Sequence, residues 1–224
     1  MVMAVVCYLI GCFNFARLIS RSKHKDITKI GSGNPGTMNM SREFGLKIGL
    51  LTFFCDAVKG GLPALISYFI YRDTVFSTGF AVSDLTRYFC GVCVVVGHIF
   101  PVTMRFKGGK GIASTLGLFW ACLSCEWAWN ILFVFLFFLV IVLFIYLTEW
   151  GSLGSLFGVT GLSIVQVAFF VGRYGIAVNR YLVVAYLLIF TLNFLTWWAH
   201  RSNILRLFAG EERHTSIKKL SKSK

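Results

Sequence analysis

Seven stretches of this chain are apolar almost without interruption, and the polar positions crowd into the segments between them. They run from about Val2 to Ile19, Ile48 to Tyr71, Tyr88 to Met104, Ile112 to Trp129, Ile131 to Leu147, Leu153 to Val171 and Tyr181 to Trp198. A helix that crosses a hydrocarbon core needs roughly 20 mostly apolar residues. The pattern therefore predicts an all-α integral membrane protein, a polytopic bundle of about seven transmembrane helices. Two segments fit less well. The fourth is short and ends in the mixed run Cys125-Glu126-Trp127, and the sixth carries Gly154, Gly158 and Gly161, a small-residue pattern suited to close helix packing. The first 20 residues lack the charged start, short apolar run and cleavage site of a signal peptide, so they read as the first span.

Composition agrees with the pattern: of 224 residues 57% are hydrophobic and 23 are Phe, more than a soluble core requires. Charge adds direction. Arg21, Lys23, Lys25, Lys29, Arg42 and Lys47 lie between spans one and two, and Arg105, Lys107 and Lys110 between spans three and four. Arg201, Arg206, Arg213 and four lysines follow span seven, whereas the opposite loops hold only Arg72, Arg87, Arg173 and Arg180. By the positive-inside rule the rich side is cytoplasmic, with the N-terminus outside and the C-terminus inside. The net charge of +13 is thus accounted for by short loops beside apolar spans, and nucleic acid is not expected as a partner. The chain reads as one transmembrane domain over residues 1–224, with a basic tail from about residue 213.

Cys90, Cys93, Cys122 and Cys125 form two C-x2-C pairs, a spacing that can hold zinc. All four sit in apolar helical sequence, where Cys is ordinarily a small buried hydrophobe, so no metal is expected.

The polar segments carry the candidate chemistry. GSGNPGTMN, from Gly31 to Asn39, is a tight polar turn whose N–H groups can converge on an anion, with Ser32, Asn34 and the Arg42 fork to complete the site. RFKGGKG, from Arg105 to Gly111, leads straight into the helix opened by Ile112. A glycine-rich loop with a lysine at a helix N-terminus is a sound phosphate cradle, made here of Gly108, Gly109, Lys110 and Gly111. Gly111 stands where a nucleotide-binding P-loop needs Ser or Thr, which disfavours nucleotide. Asp56 and Lys59 share one helix face within span two, and His98 closes span three; these read as structural or site-supporting. His200 and Asn203, spaced i, i+3 at the exit of span seven, can present an imidazole and an amide together to a small polyol, followed by Glu212.

Taken together, GSGNPGTMN preceded by KDITKIGS, DAVKG from Asp56, GHIFPVTMRFKGGKGIAST from Gly97 and HRSNILRLFAGEE from His200 resemble the bacterial acyl-phosphate:glycerol-3-phosphate acyltransferases over nearly the whole chain. That resemblance implies seven spans with a cytoplasmic active site in the inner membrane. It also implies transfer of an acyl chain from acyl phosphate to the 1-hydroxyl of glycerol 3-phosphate, with no cofactor. By position it assigns Ser32, Arg42 and Lys110 to phosphate, Gly108, Gly109 and Gly111 to the acyl phosphate, and His200, Asn203 and Glu212 to the glycerol 3-phosphate site. Thr37 and Met38 depart from the family's usual GATN, and Thr103 stands where an apolar residue is commoner. Two other classes compete. A transporter or channel for an organic phosphate anion would use the same loops. A CDP-alcohol phosphotransferase would need several intramembrane aspartates on metal, and only Asp56 lies within a span.

Overall fold

Hydrocarbon offers a backbone no hydrogen-bond partners, so long apolar segments satisfy their own N–H and C=O groups as helices. The computed structural model describes residues 1–176 and 179–215, and the apolar segments within them are helical. In chain order the helices are α1 (Val2–Cys12), α2 (Phe15–Ser22), α3 (Thr37–Phe44), α4 (Leu46–Tyr71), α5 (Val82–Ile99), α6 (Ile112–Glu126), α7 (Asn130–Thr148), α8 (Gly151–Tyr174), α9 (Arg180–Ala199) and α10 (Arg201–Phe208). Six stretches are long and apolar enough to cross a membrane: Val2–Ser22 taken through its break, α4, Val82–Met104, α7, α8 and α9. The fourth expected span, α6, has only 15 residues. Most of the basic tail, from residue 216 onward, lies outside the described residues.

Three boundaries differ from the sequence reading. The first span is broken: Phe13 and Asn14 are extended, and the Asn14 side chain caps α2 by accepting the Arg17 N–H at 2.8 Å. A break at membrane depth strands carbonyls, and here each finds a donor. Lys59 Nζ donates to Phe13 O at 2.7 Å and Gly11 O at 3.4 Å, and the Thr103 hydroxyl donates to Cys12 O at 3.1 Å. Thr103, the departure from the family pattern, thus has a structural task. Lys59 remains paired with Asp56 at 2.8 Å, the two being 5% and 1% exposed.

The second difference is α3, a helix that begins at Thr37, inside the segment read as a tight polar turn. The third is that α5 begins at Val82, so Arg87 is buried inside a helix rather than lying in a loop. Arg87 bonds Asp84 and Glu126 and donates to Cys122 O at 2.7 Å, while Asn130 donates to Leu123 O at 2.8 Å. Those two donors close the C-terminus of α6, and Arg173 in α8 completes the network on Asp84 at 3.0 Å. Cys90 and Cys93 pack on Cys7, whereas Cys122 belongs to the main core, so Cys90 and Cys122 sit in different clusters.

Packing is tightest where side chains are missing. A Cβ on Gly117 would collide with the Ala57 carbonyl, and one on Gly60 with the Ser114 carbonyl, so α4 and α6 touch backbone to backbone. Without water to drive them together, helices in a bilayer gain adhesion from such close contact. α7 is the opposite case: only Asn130 and Val134 of its 19 residues are buried.

Candidate active site

The polar segments singled out in the sequence meet at one end of the bundle, joined by the turn at Glu149 and the residues after α10. Asn39, buried on α3, shapes the first. Its Oδ1 accepts the Ser32 N–H at 2.9 Å, and its Nδ2 donates to Ile30 O at 3.0 Å and Ile27 O at 3.3 Å. Gly31 and Gly33 take positive φ of 59° and 69°, which lets the turn wrap that amide and leaves Ser32 exposed at its tip. The Asn34 N–H points back to Ser32 Oγ at 3.4 Å. Arg42 follows Asn39 by three residues on the same helix.

The second loop folds onto the end of α5. Gly108 N–H donates to Ile99 O at 3.0 Å and Gly109 N–H to His98 O at 3.1 Å, and a Cβ at either glycine would strike His98. Both N–H groups are therefore committed to the chain rather than aimed outward as a cradle requires; these glycines are needed for close approach. Lys110 and Gly111 are different, for neither backbone N–H has an acceptor among the described residues. Gly111, at φ 80°, opens α6, so both free donors stand at a helix N-terminus where the dipole favours an anion. His98 lies behind this loop, 3.8 Å from Asp56, and links it to the Asp56–Lys59 pair.

The third segment supplies the polar wall. Lys110 Nζ donates to Asn203 Oδ1, Asn203 Nδ2 donates to Glu212 Oε1 at 2.6 Å, and Glu212 also receives Ser152 Oγ and Arg206 Nε, each at 3.0 Å. Burial would raise the Glu212 carboxyl, but these hydrogen bonds and the Arg206 charge hold it below the usual range. His200, the residue between α9 and α10, places Nδ1 2.8 Å from Thr196 O. A carbonyl can only accept, so the ring proton is on Nδ1 and Nε2 is an acceptor. Burial and the Lys110 charge push the imidazole down to about 4, which keeps it neutral at pH 7.

Arg206 is paired with Glu212, but two further cations, Lys110 and Arg42, stand here without an ion-pair partner among the described residues. Lys110 is pushed down to about 8, chiefly by burial; Glu212 opposes that shift, and Arg206 and Arg42 add to it. Arg42 donates to Thr215 Oγ1 at 3.1 Å and forms no ion pair among the described residues, and neither does Lys110. The structure thus joins Lys110, Asn203 and Glu212 directly. It sets His200 and Arg42 within the electrostatic reach of Lys110 and leaves Ser32 and Asn34 on the neighbouring turn with contacts only inside it.

Sequence reasoning missed Asn39, Ser152 and Thr215. A second asparagine in GSGNPGTMN hinted at the first; Gly151-Ser152 at the start of an apolar run was a helix N-terminus on the basic side. Nothing marked Thr215.

A family model described as glycerol-3-phosphate acyltransferase matches residues 1–210. The glycerol-3-phosphate acyltransferase of Mycoplasmopsis pulmonis is 34% identical over 222 residues, covering 96% of this chain and 92% of that one. Among solved structures, the glycerol 3-phosphate form of PlsY, an integral membrane glycerol 3-phosphate acyltransferase, superposes with a TM-score of 0.75 at 29% identity over 97% of this chain and 96% of that one. The lysophosphatidic acid form of the same enzyme gives 0.72 at 29% identity, with 95% and 93% covered.

Proposed function

Since this chain belongs to the glycerol-3-phosphate acyltransferase family, and so is a multi-pass membrane acyltransferase of glycerol 3-phosphate, we propose that its donor is acyl phosphate and its product lysophosphatidic acid. We place the reaction at the cytoplasmic face of a bacterial inner membrane, where the Lys and Arg of the basic loops put that end of the bundle.

One observation carries the reading. The buried cations within the helices, Lys59 and Arg87, each hold a carboxylate, whereas Lys110 and Arg42 hold only an amide and a hydroxyl. Charges kept partly out of water without a counter-charge favour an anionic ligand. Both substrates of the proposed reaction are anions.

An acyl phosphate is a mixed anhydride, so its carbonyl is already activated. The 1-hydroxyl oxygen of glycerol 3-phosphate forms a bond to the carbonyl carbon, the bond from that carbon to the phosphate oxygen breaks, and phosphate leaves with the electron pair. Lys110, with its own N–H and that of Gly111, supports the charge that develops on the leaving group. Arg42, together with Ser32 from the preceding turn, takes the phosphate of the acceptor. His200 Nε2 accepts from the hydroxyl and orients it; with an imidazole near 4 it is a weak base, and the proton goes to the departing phosphate. Asn203 fixes Lys110, and Glu212 fixes Asn203. The acyl tail stays among the apolar helices.

The donor assignment rests on loop size. The segments at this end are short, and none is large enough to form a pocket for an adenine and 3′-phosphate. Purified protein given glycerol 3-phosphate with acyl phosphate or acyl-CoA in turn should form lysophosphatidic acid from the first alone. Comparable rates with acyl-CoA would refute the donor.

A further inference from the structure

Residues 213 and 214 are exposed, yet Thr215, at the edge of the described chain, is 3% exposed. It is drawn in by two bonds. Its backbone N–H donates to Glu149 O at 2.8 Å, in the turn before α8, and its hydroxyl accepts from Arg42 Nη2 at 3.1 Å. Gly151 makes the room, for a Cβ there would crowd the Thr215 hydroxyl. Three residues back, Glu212 is tied to Asn203, Ser152 and Arg206. The segment from Glu212 to Thr215 is thus fixed at both ends and lies beyond the residues that the family model matches.

We infer that Thr215 is a positioning residue for the acceptor substrate: it holds the Arg42 guanidinium in place and adds its own hydroxyl to the phosphate which that guanidinium takes. The inference rests on the reading of Arg42 as the glycerol 3-phosphate anchor. A hydroxyl has one proton and two lone pairs. The Arg42 N–H uses one lone pair, and among the described residues the Thr215 proton has no acceptor. The same atom can therefore receive from Arg42 and donate to a phosphate oxygen. A neutral anchor suits this task. An Asp or Glu in its place would hold the guanidinium but cancel the charge that the substrate needs, whereas a hydroxyl fixes the fork and leaves four of its five N–H groups for the anion. The N-terminus of the 24-residue α8, which starts at Gly151, adds its positive dipole end to the same spot.

The test uses the full chain, purified in detergent, with KM and kcat measured for each substrate at saturating levels of the other. Thr215→Ala should raise KM for glycerol 3-phosphate about tenfold, the range expected for a lost hydrogen bond to a charged group. It should leave KM for acyl phosphate and kcat within about twofold, and Thr215→Ser should restore the parent value. An unchanged KM in Thr215→Ala overturns the inference. A lowered KM also overturns it, by showing that the hydroxyl competes with substrate. Equal losses for both substrates that Ser does not rescue show a merely structural contact and do the same. Arg42→Ala separates the two levels: if it loses glycerol 3-phosphate affinity while Thr215→Ala does not, only this inference falls. If Arg42→Ala leaves KM unchanged, the Arg42 assignment itself is wrong and the inference falls with it.

Discussion

Lys110 and Lys59 are both removed from water, and their partners set them to opposite tasks. Lys59 faces Asp56 and two backbone carbonyls at the α1 break, so it is consumed by structure. Lys110 faces an amide oxygen and keeps its charge free. Lys110→Ala should cut turnover about 10²- to 10³-fold while the protein stays folded, the cost of one lost donor to developing charge; near-parent turnover would remove its role. The free enzyme's Lys110 near 8 also sets a pH limit. Charge is present below that value and lost above it, so kcat/KM should fall as pH rises through about 8, well short of the roughly 10.4 of an ordinary lysine. Lys110→Arg should abolish that alkaline limb at some cost in rate. A flat profile to pH 9.5 in the parent would contradict the assignment. Legibility at this scale tracked residue type. Lys110 was readable as a candidate because a charge in a short glycine-rich loop has few structural excuses, and Asn203 and Glu212 because they are polar positions just past the last apolar span. Gly108 and Gly109 were readable as necessary but not in their task, since a sequence cannot tell a glycine that admits a phosphate from one that admits His98.

Helices here are held by absent side chains and by donors placed at broken ends. Gly117→Ala would drive a Cβ into the Ala57 carbonyl, whereas Gly158→Ala would find its nearest neighbour, in the Ile141 side chain, at an ordinary 3.6 Å. Thermal unfolding in detergent should show the first strongly destabilised and the second unchanged or up to about 1 kcal/mol more stable, since alanine is the better helix former. Equal effects would mean that α4 and α6 are not in backbone contact. Lys59→Met strands the carbonyls of Gly11 and Phe13 and leaves Asp56 unpaired, and should cost about 3 to 5 kcal/mol; adding Asp56→Asn should recover part of that loss in the same assay. The break itself was hidden in the apolar pattern because Phe13 is as hydrophobic as its neighbours, and only Asn14 and Arg17 interrupt the run. Arg87 misled for the converse reason. An arginine ends an apolar window, yet here Asp84 and Glu126 let the helix continue past it.

At the scale of the whole molecule, the all-helical membrane architecture was legible because hydrocarbon leaves a chain so few options. The convergence of four separate segments at one end was legible only through alternation of spans. Its sidedness gives the remaining prediction: single cysteines at Ser32, Lys107 and Ser202 should all be shielded from an impermeant thiol reagent in intact cells, in a background without the native cysteines. Labelling of any one would reverse the proposed orientation. The 15 residues of α6 reach about 22 Å, against a hydrocarbon core of roughly 30 Å. The Glu126 side chain at its far end is buried in protein, so in the proposed orientation the shortfall falls partly on the Lys110 end, which would sit nearer acyl-chain depth. On the proposed reaction, the acyl donor then arrives by sliding sideways within its leaflet, and glycerol 3-phosphate must descend from water to meet it. Bilayer thickness becomes a setting of the catalyst: thicker membranes deepen that descent, and the dependence should appear against the soluble substrate alone.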